Sequence, residues 1–182
     1  MSPVGYGEED KLGAVDIRAR LLAADADFAD TFGTTPRWKM AIAGGAPLIL
    51  LGLIRRQTPD IDVAIGPRRV EGLFAKHDIN FDMTRVNSLP YFFEDRLVPM
   101  GLPTRVLDYF QVSLEDIAAS KLGAGRPKDI EDLWSPEFAA RLDWNLLSTL
   151  GRELGEAGNS NRYVSEWEHM YRRYREERGP RV

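Results

Sequence analysis

Two aspartates separated by one residue, Asp60 and Asp62, are the side chains of this sequence best suited to chemistry. The alternation around them predicts a strand over residues 60–65. Because residues two apart on a strand point to the same side, we expect Ile61 and Val63 to face a core and the aspartates to lie side by side on the other face. Two carboxylates so close repel each other unless a cation lies between them, and Mg²⁺ takes such ligands together with substrate phosphates.

A glycine pair, Gly44-Gly45, precedes the aspartates by about fifteen residues. It separates a predicted strand, residues 38–43, from a short apolar helix predicted over residues 46–54. The free N–H groups and the positive dipole end of such a helix favour a phosphate. Residues 38–65 therefore contain both a turn suited to binding phosphate and a carboxylate pair suited to binding a metal ion.

The same spacing occurs at Asp25-Ala26-Asp27, in a segment of helical composition. On a helix, positions two apart point roughly 200° apart around the axis, so these two carboxylates cannot share one ion. With 28 acidic residues in 182, the spacing alone is weak evidence. The alternative for Asp60 and Asp62 is an ordinary strand end with two solvated aspartates.

Size and composition exclude several classes of function. A chain of 182 residues with 43% hydrophobic content fits one domain with a real core. The absence of cysteine excludes disulfides and thiolate sites, and two histidines disfavour a poly-histidine metal site. No membrane span or signal pattern is visible, so we expect a cytoplasmic protein. The net charge of −4 argues against broad binding to nucleic acid but leaves room for a local basic patch.

The periodicity of the remaining chain predicts an α+β fold, with a small mixed sheet flanked by helices and a helical C-terminal third. Further strands are predicted over residues 79–86, 97–100 and 105–112. One or two helices are predicted over residues 9–30, and further helices over residues 67–77, 113–125, 143–156 and 161–178, with two more beginning at Pro127 and at Ser135-Pro136. We divide the chain into a domain of residues 1–135, including the N-terminal helices, and a helical extension of residues 136–182 packed on it.

A second group of polar residues lies in SLEDIAASKLGAGRPKDIEDLW, residues 113–134. Lys121 ends an apolar helix face and could reach a triphosphate, while Arg126 could bind phosphate oxygens with its planar fork. Alternatively, Lys121 extends from the edge of the apolar stripe into water and Arg126 pairs with Asp129 or Glu131. The residues alone slightly favour the second interpretation.

The order of these features resembles the nucleotidyltransferase-fold family, and more narrowly its minimal bacterial branch typified by the AbiEii and MenT toxins. That branch shows a Gly-Gly/Ser turn, an Asp-x-Asp strand and a later K-L-x-A-x-R-x-x-D-x-x-D-L helix pair. The resemblance covers roughly residues 38–135. The matching positions are Gly44, Gly45, Asp60, Asp62, Lys121, Arg126, Asp129 and Asp132.

The resemblance implies roles for these residues. The implied metal ligands for Mg²⁺ (or Mn²⁺) are Asp60, Asp62 and a third carboxylate, for which we prefer Asp82 over Asp129 because Asp82 falls on a predicted neighbouring strand. The implied catalytic residues are then Asp60, Asp62, Asp82 and Lys121. The implied nucleotide-binding set is Gly44, Gly45, Thr58, Lys121, Arg126 and Asp129. The family often has a small hydroxyl residue after the glycines, where this chain has Ala46-Pro47.

The implied reaction is metal-dependent transfer of a nucleoside monophosphate from an NTP to an acceptor hydroxyl, with release of pyrophosphate. The acceptor would be an RNA 3′ end, such as that of tRNA, or a protein side chain. A role as the toxin of a toxin–antitoxin pair, with a cognate antitoxin as partner, belongs to the same resemblance.

Two other interpretations stay open. One is a catalytically weak or inactive module that binds nucleotide or a protein partner. The other is a nucleic-acid-binding helix, based on the basic and aromatic tail YRRYREERGPR at residues 171–181, although its glutamates favour a solvated helix. Arg55 and Arg56 are equally consistent with pointing into the site and with solvating a helix end.

Overall fold

The computed structural model describes residues 11–85, 89–157 and 161–181 and confirms the α+β fold. The helices are α1 Ala14–Phe32, α2 Ala46–Leu50, α3 Glu71–Ala75, α4 Leu114–Ala124, α5 Pro127–Leu133, α6 Pro136–Ala139, α7 Trp144–Ala157 and α8 Asn161–Arg178. The strands are β1 Trp38–Ile42, β2 Ile61–Ile65, β3 Ile79–Asn80, β4 Val98–Pro99 and β5 Leu107–Gln111.

The described strands form one mixed sheet in the order β3-β2-β1-β5-β4. Strand β1 lies at its centre, antiparallel to β2 and parallel to β5. Strands β2 and β3 are parallel, and β4 is antiparallel to β5. The side chains of Ile61 and Val63 are fully buried while Asp62 between them is half-buried, which confirms the predicted alternation along β2.

The predicted strand over residues 79–86 is wrong beyond its first two residues. Strand β3 covers only Ile79–Asn80, and a short 3₁₀ turn follows at Asp82–Arg85. The side-chain oxygen of Asn80 accepts the N–H of Asp82 at 3.0 Å, which bends the chain away from the ladder. Asp82 therefore lies on an exposed turn rather than in the middle of a strand. Residue 86 lies outside the described residues.

Helices α7 and α8 are anchored on α4 by large aromatic side chains. The indole N–H of Trp167 donates to the carbonyl of Ala119 at 3.3 Å. A Cβ at Gly151 would lie 1.7 Å from the Trp167 ring, so only glycine leaves room for this ring against α7. Trp167 and Tyr174 belong to the same buried core as the sheet residues. The division of the chain at residue 135 stays a prediction.

None of the helices in the described part of the chain is both long and apolar enough to cross a membrane.

The Asp-x-Asp pair of α1 has diverging side chains, as its helical position predicts. Asp25 is 3% exposed and accepts the backbone N–H groups of Arg105, Val106 and Leu107 at 2.7, 2.9 and 2.7 Å. Asp27 instead forms an ion pair with Lys76 at 2.7 Å. The carboxylate of Asp25 therefore fixes the start of β5 against α1, and this pair is structural.

We expect Asp25→Ala to lower the free energy of unfolding by about 2–4 kcal/mol, because three buried N–H groups lose a charged acceptor. Urea unfolding followed by circular dichroism measures this loss. The control Asp27→Ala removes a partly exposed carboxylate on the same helix, with its contacts to Lys76 and His77 at 2.7 Å, and should cost less because no buried N–H group loses its acceptor. Equal losses in the two variants would contradict the role given to Asp25.

Candidate functional site

The carboxylates of Asp60 and Asp62 converge on one point. Asp60 lies directly before β2, Asp62 is the second residue of that strand, and Asn80 pairs with Asp62 in the parallel register of β2 and β3. The side-chain nitrogen of Asn80 donates to Asp60 Oδ2 at 3.0 Å and to Asp62 Oδ1 at 3.2 Å. Asn80 was not predicted as a site residue. The sequence places it on the predicted neighbouring strand, but the register that sets Asn80, rather than Asp82, beside Asp62 depends on residues far apart in the chain.

The electrostatics around Asp60 and Asp62 favour a bound cation. Burial is the main cause of a raised pKa at Asp60, and the charge of Asp62 is the next. The charge of Asp82 adds to this rise, while Lys128 and the hydrogen bond from Asn80 act in the opposite direction. The folded protein therefore holds two carboxylates at a distance where their charges oppose each other, and a bound cation would relieve this repulsion.

This donor set fits Mg²⁺, which typically takes one or two protein carboxylates together with substrate phosphates. Among the residues that the structure describes, no three or more acidic, histidine or cysteine side chains are grouped closely enough to hold a metal ion by themselves. Asp60 and Asp62 would thus be the protein's ligands, with phosphate oxygens completing the shell. The prediction that Asp82 is a third ligand stays a prediction; its charge acts on Asp60 from the neighbouring turn.

The Gly44-Gly45 turn lies directly against the acid pair. Gly44 has a φ of +66°, and a Cβ there would lie 2.2 Å from Asp62 Oδ2. A Cβ at Gly45 would lie 2.7 Å from a guanidinium nitrogen of Arg56. A side chain at either position would displace the charged group beside it, and at Gly44 the positive φ favours glycine as well. Helix α2 has only five residues, so its dipole contributes less than the sequence predicts.

A buried network of charges stands behind the turn. Arg56 binds both oxygens of Asp132 at 2.6 and 2.7 Å, and Lys121 Nζ donates to Asp132 at 2.7 Å and to Asp129 at 3.1 Å. Arg126 Nε donates to Asp129 at 2.7 Å. Lys121, Asp129 and Asp132 are 5%, 0% and 1% exposed. The expectation that Lys121 reaches into water is wrong, whereas the pairing of Arg126 with Asp129 is confirmed.

The network favours the charged form of Asp129. Burial raises the pKa of Asp129, but the hydrogen bonds and charges of Arg126 and Lys121 together outweigh burial, so the pKa is lowered. The charge of Asp62 raises the pKa of Arg126 after the larger effect of Asp129, which places this guanidinium near the acid pair. Cationic groups thus flank the carboxylates that converge on Asn80.

The two arginines left open by the sequence differ in the structure. The side chain of Arg55 is 95% exposed and lies 3.6 Å from Glu137, whereas that of Arg56 is 20% exposed and faces the glycine turn.

Thr58 is 5% exposed, and its hydroxyl donates to the main-chain oxygen of Asp60 at 3.1 Å. In this structure Thr58 fixes the turn that presents Asp60.

Comparison with protein-family models places the chain among the nucleotidyltransferases. The matching family is described as "Nucleotidyltransferase of unknown function (DUF6036)", and the match covers residues 19–175. The chain belongs to this family. All the candidate site residues, from Gly44 to Asp132, lie within the match. No significant match was found among curated proteins or among solved structures.

We expect Gly44→Ala to disturb the site more than the fold. The new Cβ would push the Asp62 carboxylate by more than about 1 Å, and a displacement of that size costs about 100-fold in rate. The matched control is Gly52→Ala, since Gly52 has a φ of +68° but no atom within 4 Å of its Cβ position.

Both variants should lose about 1 kcal/mol of stability from the positive φ. Thermal melting and label transfer from an NTP measure the two effects. An equal loss of label transfer in Gly44→Ala and Gly52→Ala would show that the close contact between Gly44 and Asp62 has no role in activity.

Proposed function

We propose that the protein is a metal-dependent nucleotidyltransferase that moves a nucleoside monophosphate from an NTP to an acceptor hydroxyl. The observation that carries this proposal is the convergence of Asp60 and Asp62 on one amide nitrogen, beside a glycine turn. The family membership supports the general class. In the reaction the acceptor oxygen forms a bond to the α-phosphorus, the bond from the α-phosphorus to the bridging oxygen breaks, and pyrophosphate leaves; the acceptor proton passes to solvent.

The chain's own residues would bind and orient the nucleotide. Asp60 and Asp62 would hold Mg²⁺ or Mn²⁺, which when bound neutralises phosphate charge and supports departure of pyrophosphate. The glycine turn would let phosphate oxygens approach the backbone. Arg126, whose side chain is 60% exposed, and the exposed Lys128 would bind phosphate oxygens from the side of α5.

For Lys121 we propose a positioning role. Its side chain is only 7% exposed and its ammonium group donates to both Asp129 and Asp132, so direct contact with a triphosphate would require these residues to rearrange. By holding Asp129, Lys121 fixes the carboxylate that orients Arg126. The effect of Lys121 on phosphate binding would therefore pass through Arg126.

The finer proposals rest on the resemblance of the motifs to the AbiEii and MenT branch. We propose an RNA 3′ end, such as that of tRNA, or a protein side chain as the acceptor. A toxin role with a cognate antitoxin, in a cytoplasm that supplies NTP and RNA, is part of the same proposal.

A second candidate is a module that binds nucleotide without transferring it. Two observations favour this candidate. Lys121 is already neutralised by two carboxylates, and Ala46-Pro47 supplies no hydroxyl after the glycines. Binding of a magnesium–nucleotide complex with no transfer to any acceptor would distinguish this module from the enzyme.

We expect the protein to transfer label from one or more α-labelled NTPs, with Mg²⁺, to total RNA or to cell protein. The double variant Asp60→Asn/Asp62→Asn should lower the rate at least about 1,000-fold, which corresponds to about 4 kcal/mol of lost transition-state stabilisation. Its fold should persist, because both side chains are half-buried and neither belongs to the core.

Asp27→Asn is the matched control, because it changes the second carboxylate of the other Asp-x-Asp pair. Full activity in the double variant would contradict the metal-ligand assignment. Absence of label with every NTP, together with stabilisation of the wild type by a magnesium–NTP complex, would select the binding module instead. Ligand at about 100 times its dissociation constant should add about 2.7 kcal/mol.

A further inference from the structure

Helices α7 and α8, with the residues that follow α8, form a groove of about 580 Å³ that shares no lining residue with the candidate site. Its charged lining among the described residues is Arg152, Arg172, Arg175, Arg181, Glu168 and Glu176. This lining carries two more positive than negative charges in a chain whose formal net charge is −4. We call this feature the arginine groove.

In the described part of the chain, no salt bridge includes any of the four arginines of the arginine groove. Arg175 donates a hydrogen bond to the Tyr171 hydroxyl at 3.5 Å. Arg173, on the same helix but outside the groove, pairs with Glu177 at 2.8 Å and lies 5.5 Å from the centre of the Trp134 ring. Among the α8 arginines whose side chains the structure describes, Arg173 is paired outside the groove, whereas Arg172 and Arg175 line the groove without an ion pair.

The walls of the groove are held in place by packing. Tyr174, on the inner face of α8, is fully buried between the rings of Trp134 and Trp144, with centroids at 5.1 and 4.9 Å. On the groove side, the rings of Trp167 and Tyr171 stack 5.0 Å apart at 12°. Binding in the groove would therefore need little ordering of the helices.

We propose that the arginine groove binds the phosphate backbone of single-stranded RNA. The guanidinium group forms paired hydrogen bonds to phosphate oxygens and is more weakly hydrated than an ammonium group. Arg172 and Arg175 lie one turn apart on α8, Arg181 follows the helix, and Arg152 faces them from α7. Charges arranged along a helix suit an extended polymer better than one small anion.

The aromatic lining favours RNA over an acidic protein segment. Tyr171 is half-buried at the groove, where its ring stacks on Trp167 and its hydroxyl donates to the carbonyl of Trp144 at 3.2 Å. A base that binds beside this ring would extend the aromatic stack without sequence preference. The sequence indicates the basic and aromatic character of the tail, but the structure adds Arg152 from a different helix. This convergence of two helices distinguishes a binding groove from a solvated terminal helix.

The test is equilibrium binding of a fluorescein-labelled single-stranded RNA of mixed sequence, measured by anisotropy in 50–200 mM KCl. The protein is the full chain carrying Asp60→Asn/Asp62→Asn, so that no chemistry at the candidate site affects the result. The groove variant is Arg172→Ala/Arg175→Ala. The matched control is Arg173→Ala/Arg178→Ala, which removes the same number of charges from the same helix outside the groove.

If four arginines contact phosphates, the logarithm of the association constant should fall against the logarithm of the salt concentration with a slope of about −3. The groove variant should bind at least about tenfold more weakly, with about half that slope, whereas the control should stay within about twofold of its parent. All four substituted arginines are exposed, so thermal melting should show unchanged folds. Equal weakening in both variants, or no binding of RNA at 50 mM KCl, would overturn the proposal.

If the groove also holds the acceptor, an assignment that rests on the proposed function, then Arg172→Ala/Arg175→Ala in the active protein should raise KM for RNA about tenfold and leave KM for the NTP unchanged. Transfer to RNA with an unaltered KM would overturn the acceptor role. RNA binding without any transfer would count against the transferase and leave the groove standing, so the two proposals can fail separately.

Discussion

The contact between the Asp62 carboxylate and the backbone of Gly44 is the constraint on which the site depends. A Cβ at Gly44 would lie 2.2 Å from Asp62 Oδ2, so the turn and the acid pair cannot be built independently. The pairing of β1 with β2 brings them together, since Ala43 N–H donates to the carbonyl of Asp62 at 2.9 Å. The pairing of the two strands thus places the Asp62 carboxylate against the glycine turn that follows β1.

A second constraint fixes the other side of the turn. Arg56 lies against Gly45 and binds Asp132, and Asp132 shares Lys121 with Asp129. Removing one partner from such a buried network leaves an uncompensated charge, which is strongly destabilising. The network therefore links the glycine turn to α4 and α5. The pairing of opposite charges within it explains how these charged side chains can be buried.

Local patterns allowed much of the fold to be predicted. The alternation of Ile61 and Val63 with the aspartates indicates the orientation of β2. The predicted start of a helix at residue 113 is confirmed, since the hydroxyl of Ser113 accepts the N–H of Asp116 as the N-cap of α4. Helix α8 has the predicted bounds, Asn161–Arg178. Each of these features depends on residues within a few positions of one another.

The parts that could not be predicted depend on pairings between distant segments. Asn80 meets the aspartates only because β3 lies parallel to β2, and Arg56 meets Asp132 across 76 positions of sequence. At Asp82 a local side-chain hydrogen bond prevailed over the strand pattern. The arginine groove likewise needed the packing of α7 against α8, which brings Arg152 to the tail.

The central claim is that Asp60 and Asp62 hold a metal ion together with a nucleotide. The most direct measurement is electron paramagnetic resonance of Mn²⁺ titrated into the protein with a non-hydrolysable NTP. We expect the wild type to retain bound Mn²⁺ and Asp60→Asn/Asp62→Asn to bind it at least about tenfold more weakly, because the substitutions remove both carboxylate ligands. Equal retention of Mn²⁺ by the two proteins would contradict the assignment of Asp60 and Asp62 as metal ligands.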